Sequence, residues 1–497
     1  MESRLRFKFC LLLFLVSISS HATAKNSDEI FEIVAEKHDI SHPLGNTLSN
    51  QIHSNYSWQN NVVTQNTSII PFRSFAGLGV DFPNYTINFP TPEISGAVGL
   101  TQYVQWVNAD IGIFDKATGY MLAGFPKPGN YLWKGFGGLC ETNNDRSFTV
   151  KYDQTVDRWI FTQIAWGDVF AGPFYQCIAI STTPDATGTY YRYAFPFESF
   201  NATSELGLWS NAYLMTFDIN GPFVYGPRVC ALNKNNMLQG STASMQCRQF
   251  PSETHLLPAD LDGKTLPPAN TPGFFISSHP QYNLNVYSFY VDFANSKNSH
   301  LDGQGISLIK PMPNGGAYQP NGVWLNINGG NVLRRFAYRQ FQNYGSFVIG
   351  ENDADPYGYN RGPFWYEFRL PVGGGGLQMY QASYYMPDGK MRFNPSLAMD
   401  KVGNIAMAYN ISTSVIYPSI EMTNHLNTDP LNQMNTPQPL TTGTGSNTDG
   451  QWSNHNSMSV DPVDDCTFWF SGEYMKETGS NVWSTRIISF QLPNCQS

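Results

Sequence analysis

The chain predicts an all-β fold, a β-propeller of seven repeated units behind an N-terminal extension. Three observations carry that expectation: strand-like segments that recur at a fixed period, a composition rich in aromatic and turn-forming residues, and no pattern of long helices.

Each repeat is two apolar-rich half-strands around a tight polar turn. Ser95-Gly-Ala-Val98-Gly99 leads to Tyr103-Val104, and Thr149-Val-Lys-Tyr-Asp153 leads to Arg158-Trp159-Ile160-Phe161. Leu206-Gly-Leu-Trp209 precedes Tyr213-Leu214-Met215. Ser396-Leu-Ala-Met-Asp400 precedes Ile405-Ala-Met407, and Ser457-Met-Ser-Val-Asp461 precedes Phe468-Trp469-Phe470. The residues before the turns fall at 99, 153, 209, 400 and 461, so the gaps are 54, 56, 191 and 61. The long gap spans about three periods, which places two degenerate copies inside it. The candidates are Gly273-Phe-Phe-Ile276 with Leu284–Phe289, and Val332–Phe336 with Ser346–Ile349 and Trp365–Phe368.

The composition agrees. Charged residues are 13% and aromatics 14%, and there are 43 glycines and 32 prolines, as in a turn-rich β protein. The net charge of −9 argues against a nucleic-acid partner, which requires a basic face. Residues 1–24 read as a secretory leader: Arg4, Arg6 and Lys8 precede an apolar core at Cys10–Ile18, and Ala22-Thr-Ala24 is a small-residue cleavage site. The apolar run is short for a membrane span, and no later segment approaches the ~20 apolar residues one needs. Of the seven cysteines, Cys10 leaves with the leader, and an even number remains. In an exported chain that favours disulfides over metal ligation. Spacing leaves the pairing open; proximity within units suggests Cys140–Cys177, Cys230–Cys247 and Cys466–Cys495.

Residues 25–70 form the extension, with a possible short helix from Asp28 to His38. The propeller domain is 71–497, where a strand from Pro71–Pro92 could complete the last unit and so remove an open edge. Pro371-Val-Gly-Gly-Gly-Gly376 is a loop with no Lys or helix start after it, so it is no phosphate cradle. Asn427–Gly450 is the longest polar connection and a plausible ligand contact.

Several phrases together resemble a family of secreted bacterial β-propeller proteins that is distantly similar to sialidase/BNR-like propellers. They are Gly96-Ala-Val-Gly99, Tyr152-Asp153-Gln154 with Asp157-Arg158-Trp159, Cys177–Asp185, Gly188–Tyr193, Leu257–Gly263 and Met458–Trp469. The resemblance covers roughly residues 71–495. It implies the fold and export, and no established reaction. Ser181-Thr-Thr-Pro-Asp185-Ala-Thr-Gly188-Thr-Tyr190 resembles a stretched Asp-box, a structural turn whose carboxylate caps amides. The sialidase arginine triad and Tyr–Glu pair have no matching motif; arginines cluster only at Arg334, Arg335 and Arg339. The chain also departs from the family at Ser147, where an acidic residue is usual, and at Trp452-Ser-Asn454-His455, which replaces a Trp-Gly-Asp-Tyr pattern.

Function divides three ways. Glycoside hydrolysis needs two carboxylates, one kept protonated. The candidates near strand ends are Glu351, Asp353, Asp355, Glu367, Glu421 and Glu473, with Glu351, Glu367 and Glu473 foremost. Asp153, Asp400 and Asp461 sit at tight turns, where Asp bonds local amides. Glu351, Asp353 and Asp355 alternate as calcium ligands do, but Gly362 stands at the twelfth position, so this is no EF-hand and a solvated acidic loop is the plainer reading. His279, His425 and His455 are scattered, and no Gly-x-Ser-x-Gly elbow is present. Recognition without catalysis asks less: aromatics and amides on a propeller face can stack on sugar rings. Trp324, Tyr338, Tyr344, Tyr357, Tyr359, Trp452 and His455 are the expected contacts, with Arg335 or Arg339 for an anionic group. The leading expectation is therefore binding of a glycan or glycosylated surface. A glycan-cleaving hydrolase and a protein-interaction scaffold are the alternatives, with no cofactor beyond the possible calcium.

Overall fold

The structure, a computed structural model, describes residues 29–45, 70–144, 147–253, 255–279, 283–307, 315–327, 335–354, 361–453 and 455–495. The leader, most of the extension, Asp355, Tyr357 and Tyr359 lie outside the described residues.

The chain builds antiparallel meanders one after another. Their innermost strands are Ile94–Val98, Phe148–Asp153, Phe200–Leu208, Leu256–Asp262, Phe336–Gln340, Met391–Met399 and Ser457–Val460. Each packs on the next, and Ser457–Val460 returns to Ile94–Val98, so the ring closes. A closed ring of radial sheets is a β-propeller. Leu256–Asp262 pairs in parallel with Phe336–Gln340 and merges two meanders into one eight-stranded sheet. Counting one blade from each innermost strand among the described residues, Leu256–Asp262 opens the fourth blade and Phe336–Gln340 the fifth.

The inner strands, such as Ile94–Val98, Gln102–Val107 and Ile405–Ser412, are buried along their whole length because a neighbouring blade covers each face, whereas outer strands such as His300–Ser307 are largely exposed. In Thr467–Met475, Phe468 and Phe470 pack towards Ala406 and Ile420 of the sixth blade, while Trp469 packs towards Val98 and Tyr103 of the first. Strand Ile70–Ala76 pairs with Trp483–Gln491, so an N-terminal strand completes the blade formed by the C-terminus.

Two expectations change. The helix over Asp28–His38 is not formed. Phe31–Val34 instead pairs with Ser244–Gln249 at the edge of the third blade, and Lys37–Ile40 with Tyr190–Phe197 at the edge of the second. Open strand edges offer backbone partners that a short isolated helix lacks. Inside the long gap, Gly273–His279 is the second strand of its blade, not the first. The innermost is Leu256–Asp262, whose Pro258 hid the repeat.

The turns after the innermost strands gather at one end of the ring. Asp153 accepts from Thr155 N at 3.0 Å, Asp400 from Val402 N at 3.0 Å and Asp461 from Val463 N at 3.0 Å. Two of these aspartates also reach the next blade: Lys234 lies 2.6 Å from Asp153, and Lys116 2.9 Å from Asp461. In the Asp-box-like turn, Asp185 accepts from Thr187 N and from Gln102 of the first blade, both at 2.8 Å. The three disulfides are Cys140–Cys177, Cys230–Cys247 and Cys466–Cys495. The opposite end, where the innermost strands begin, carries the blade-to-blade connections and the hairpins between second and third strands. It is called the entry face below.

Candidate functional site

The channel at the ring axis is too narrow for a sugar. Its larger cavity is about 40 Å³, lined by Thr149, Lys151, Glu205, Asp260, Arg335 and Ser396 among others, and a second of about 30 Å³ shares Lys151, Asp260 and Arg335 with it. The larger has room for about three water molecules. Arg335 donates to Asp262 at 2.8 and 2.6 Å and also to Asp260, and Lys151 bonds Asp260 at 2.7 Å. Burial alone would raise the Asp260 carboxyl, but Arg335 and Lys151 outweigh it and hold Asp260 at about 2. Burial lowers Lys151 below the usual ammonium range.

Most of the residues expected to contact ligand are engaged elsewhere. Arg335 belongs to the channel cluster. Arg339 is held by both oxygens of Asp465, at 2.8 and 2.7 Å. Tyr338 lies in the core with its hydroxyl on Gln340. Trp452 is buried edge-on to Phe393 at 5.9 Å, and His455 is half-buried in the same connection. Tyr344 stacks on Arg369, 4.1 Å from the ring centroid. A sequence shows aromatic and basic residues but not which face of a strand they occupy.

The foremost carboxylates do not face one another. Glu351 accepts from the Tyr366 hydroxyl between the fourth and fifth blades. Glu367 is tied to Ser346, Arg369 and Gln381, on the Trp365 side facing the sixth blade. Glu473 is buried in the seventh blade, where its Oε2 accepts from Ser453 N at 3.1 Å and its Oε1 has no hydrogen-bond partner among the described residues. Burial raises its carboxyl well above the usual range. Among the described residues no group of three or more acids, histidines or cysteines suited to a metal ion occurs; Asp355, the third expected calcium ligand, lies outside them.

Trp324 is different. The connection from fourth to fifth blade carries a hairpin, Gly316–Ala317 paired with Leu325–Asn326, turning at Pro320-Asn321-Gly322. Its apolar side, Ala317, Leu325 and Ile327, packs on Ile94, Phe393, Trp452 and Met475, so it caps the entry face. Its outer side presents Tyr318 and Trp324, 51% and 37% exposed. The rings meet edge to face at 4.6 Å and 81°. Arg361 lies 4.6 Å from the Trp324 ring centroid and donates to Gly316 O at 2.7 Å, which fixes the indole on the hairpin. Gly316 is required: a Cβ there would sit 1.6 Å from Trp324 Nε1.

The long polar connection supplies the rim. Gln438–Thr441 within it is the fourth strand of the sixth blade. Beyond that strand, Asn447 exchanges two hydrogen bonds with Gln319, at 2.8 and 2.9 Å, and Asn326 N donates to Gly450 O at 2.8 Å. Thr448, Asp449 and Gln451 remain exposed beside the platform. Tyr318 and Arg361 were missed in the sequence; the Asn321-Gly322 turn between short apolar runs was the available signal for the hairpin.

One charged group lies close by. Met391, whose sulfur accepts from Tyr318 N at 3.2 Å, precedes the buried Arg392. Arg392 bonds Asp388 at 2.6 and 3.2 Å, and its Nε lies 3.3 Å from Glu421. Hydrogen bonds from Arg392 hold Asp388 at about 2, whereas burial raises Glu421.

No protein-family profile matches the chain, and no curated protein matches it. Among solved structures, the WD40 domain of SCAP from fission yeast is 8% identical with a TM-score of 0.36, covering 80% of this chain and 95% of that one. A PL25 ulvan lyase is 11% identical with a TM-score of 0.36, covering 83% and 97%. Trypanosoma rangeli sialidase is 9% identical with a TM-score of 0.32, covering 70% and 56%. Likenesses this remote carry no functional argument, and the fold rests on the strand order itself.

Proposed function

We propose that this protein is a secreted propeller that binds an extracellular glycan, without cleaving it, on the Tyr318–Trp324 platform. The observation that supports this reading is the pair of exposed rings held by Arg361 and Gly316 beside exposed Thr448, Asp449 and Gln451. An aromatic face stacks on the C–H side of a pyranose while neighbouring polar groups bond its hydroxyls. Three disulfides suit export.

A glycan-cleaving hydrolase is the second reading, favoured by Asp388 and Glu421. They share Arg392 and are pushed apart in acidity, as an acid and an ionised partner would be. One experiment separates the two. The oxidised protein is incubated with pooled bacterial and host-surface glycans, with retention scored by pull-down and soluble fragments by mass spectrometry. Retention without fragments, lost in Trp324→Ala, is the expected outcome. Fragments that disappear in Glu421→Gln would replace binding with hydrolysis, and retention unchanged in Trp324→Ala would remove the platform from the reading.

A further inference from the structure

The seam between the second and third blades carries a second aromatic field on the entry face. Phe170 stands at the tip of the hairpin joining Arg158–Asp168 to Gly172–Ser181, and is 94% exposed. The Asp168 carboxylate accepts from Phe170 N at 2.8 Å and Ala171 N at 2.9 Å, so the tip is a built turn. Phe223 stands at the tip of the next hairpin, joining Tyr213–Asn220 to Tyr225–Leu232, and is 93% exposed; Tyr225 beside it is 58% exposed. Beneath these tips the half-buried Trp166 meets Phe200 edge to face at 5.3 Å, and Phe200 meets Phe174 at 5.8 Å.

Large aromatic rings left almost wholly in water are the informative kind of exposure. Both tips join second to third strands, so they rise from the end of the ring on which Trp324 sits. The Trp324 hairpin packs on the first, sixth and seventh blades and is tied to Arg361 of the fifth, so the second and third blades lie beyond it on the same face. The nearest charges at the seam are engaged: Asp168 in its own turn and Arg228 with Glu198 at 3.2 Å. A chain of net charge −9 is poorly suited to an anionic membrane surface.

Resting on the glycan reading, we infer that the ligand is an uncharged polysaccharide strand that lies across the entry face, engaging the Tyr318–Trp324 platform and the Phe170–Phe223–Tyr225 field together. Two weak stacking sites on one rigid face act on a polymer as a linked pair, whereas a short oligosaccharide reaches one site only.

The test compares insoluble cellulose, chitin and β-1,3-glucan with their soluble oligomers from the disaccharide upwards, using the full oxidised protein and the double variant Phe170→Ser/Phe223→Ser. Both positions are exposed, and an unchanged melting temperature verifies the fold. Affinity should rise with chain length in the native protein. The double variant should lose roughly a hundredfold in polymer affinity and keep its affinity for the shortest bound oligomer, whereas Trp324→Ala should lose both. Equal polymer binding by the double variant and the native protein would overturn the inference while leaving the platform intact. Loss in that variant of binding to phosphatidylcholine vesicles, or of self-association, with polymer binding unchanged would overturn it in favour of a lipid surface or a second copy. Failure of every oligomer and polymer to bind the native protein would overturn the glycan reading itself.

Discussion

Lys116 Nζ lies 2.9 Å from Asp461 Oδ1, joining the first blade to the seventh across the seam where the two ends of the propeller meet. Asp461 Oδ2 accepts from Trp469 Nε1 at 2.9 Å, and its Oδ1 also accepts from Val463 N at 3.0 Å. One carboxylate thus serves its own turn, its own blade and the neighbouring blade.

Asp461→Ala should therefore destabilise more than Lys116→Met. The first strands a buried indole N–H and a turn amide and leaves the ammonium with Gly99 O alone, at 2.9 Å; the second removes that ammonium from Gly99 O and Asp461, whose carboxylate keeps its other two donors. Losses of about 4 and about 2 kcal/mol are expected by denaturant unfolding. Lys476→Met, which removes the exposed pair with Asp81 at 3.0 Å, should fall within about 0.5 kcal/mol of the native protein. Equal effects from all three would mean that the seam is not held by this pair.

Acid should weaken the channel cluster. The folded Asp260 titrates at about 2, below its unfolded value of 3.8. A depressed carboxylate contributes stability that is present above the unfolded value and is lost as pH falls through the folded one. Native stability should drop by about 2 kcal/mol between about pH 4 and pH 2 from this group. Asp260→Asn, less stable at neutral pH, should show a shallower drop when unfolding is followed across that range.

Glu473 predicts the opposite sign. Its folded carboxyl is raised by burial, so its contribution is complete below the unfolded value of 4.5 and is lost as pH rises towards the folded one. Glu473→Gln should be more stable than the native protein at pH 7, by about 1–3 kcal/mol, with the difference shrinking below about pH 5. Melting temperatures at the two pH values check this, and a destabilised variant at pH 7 would show that the carboxyl is better satisfied than its unpartnered Oε1 indicates.

Gly316→Ala should act as a displacement of Trp324. Its Cβ would sit 1.6 Å from the indole nitrogen, so the ring must leave its place over Arg361. Glycan retention should fall as far as in Trp324→Ala, while the melting temperature changes by only about 2–4 °C, since the hairpin lies on the surface of a large chain. Full retention in Gly316→Ala would exclude this indole position as the binding geometry.

The Cys466–Cys495 bridge, whose partners are 29 positions apart, pins Cys495 to the turn of the seventh blade. The double Cys→Ser variant should lose about 2–4 kcal/mol. Replacing Cys230 and Cys247, directly paired across adjacent strands and only 17 residues apart, should cost less. Unfolding of the oxidised single-bridge variants decides between them.

The repeat was legible because it is local. Ser396–Asp400 and Ser457–Asp461 each place apolar residues and a turn-capping aspartate within one short segment, and the cysteine pairs lie within single blades. Where the pattern was broken by Pro258, the innermost strand was misplaced by a whole segment. The N-terminal strands were read as a helix because Phe31–Val34 is a strand only against Ser244–Gln249, more than two hundred positions away in the chain.

The site was less legible for a related reason. Trp324 and Tyr338 are equally aromatic on paper, and Arg335 and Arg361 equally basic. Ring closure buries Tyr338 between blades and pairs Arg335 with Asp260 and Asp262, while the hairpin lifts Trp324 onto Arg361. The sequence by itself determined the class of fold and the period of its turns, since both follow from residue spacing within one blade; it suggested the cysteine pairs by proximity, and the structure settled them. The tertiary structure alone decided which rings meet water and which charges are spent on each other, because those outcomes depend on the neighbouring blade that each strand face meets.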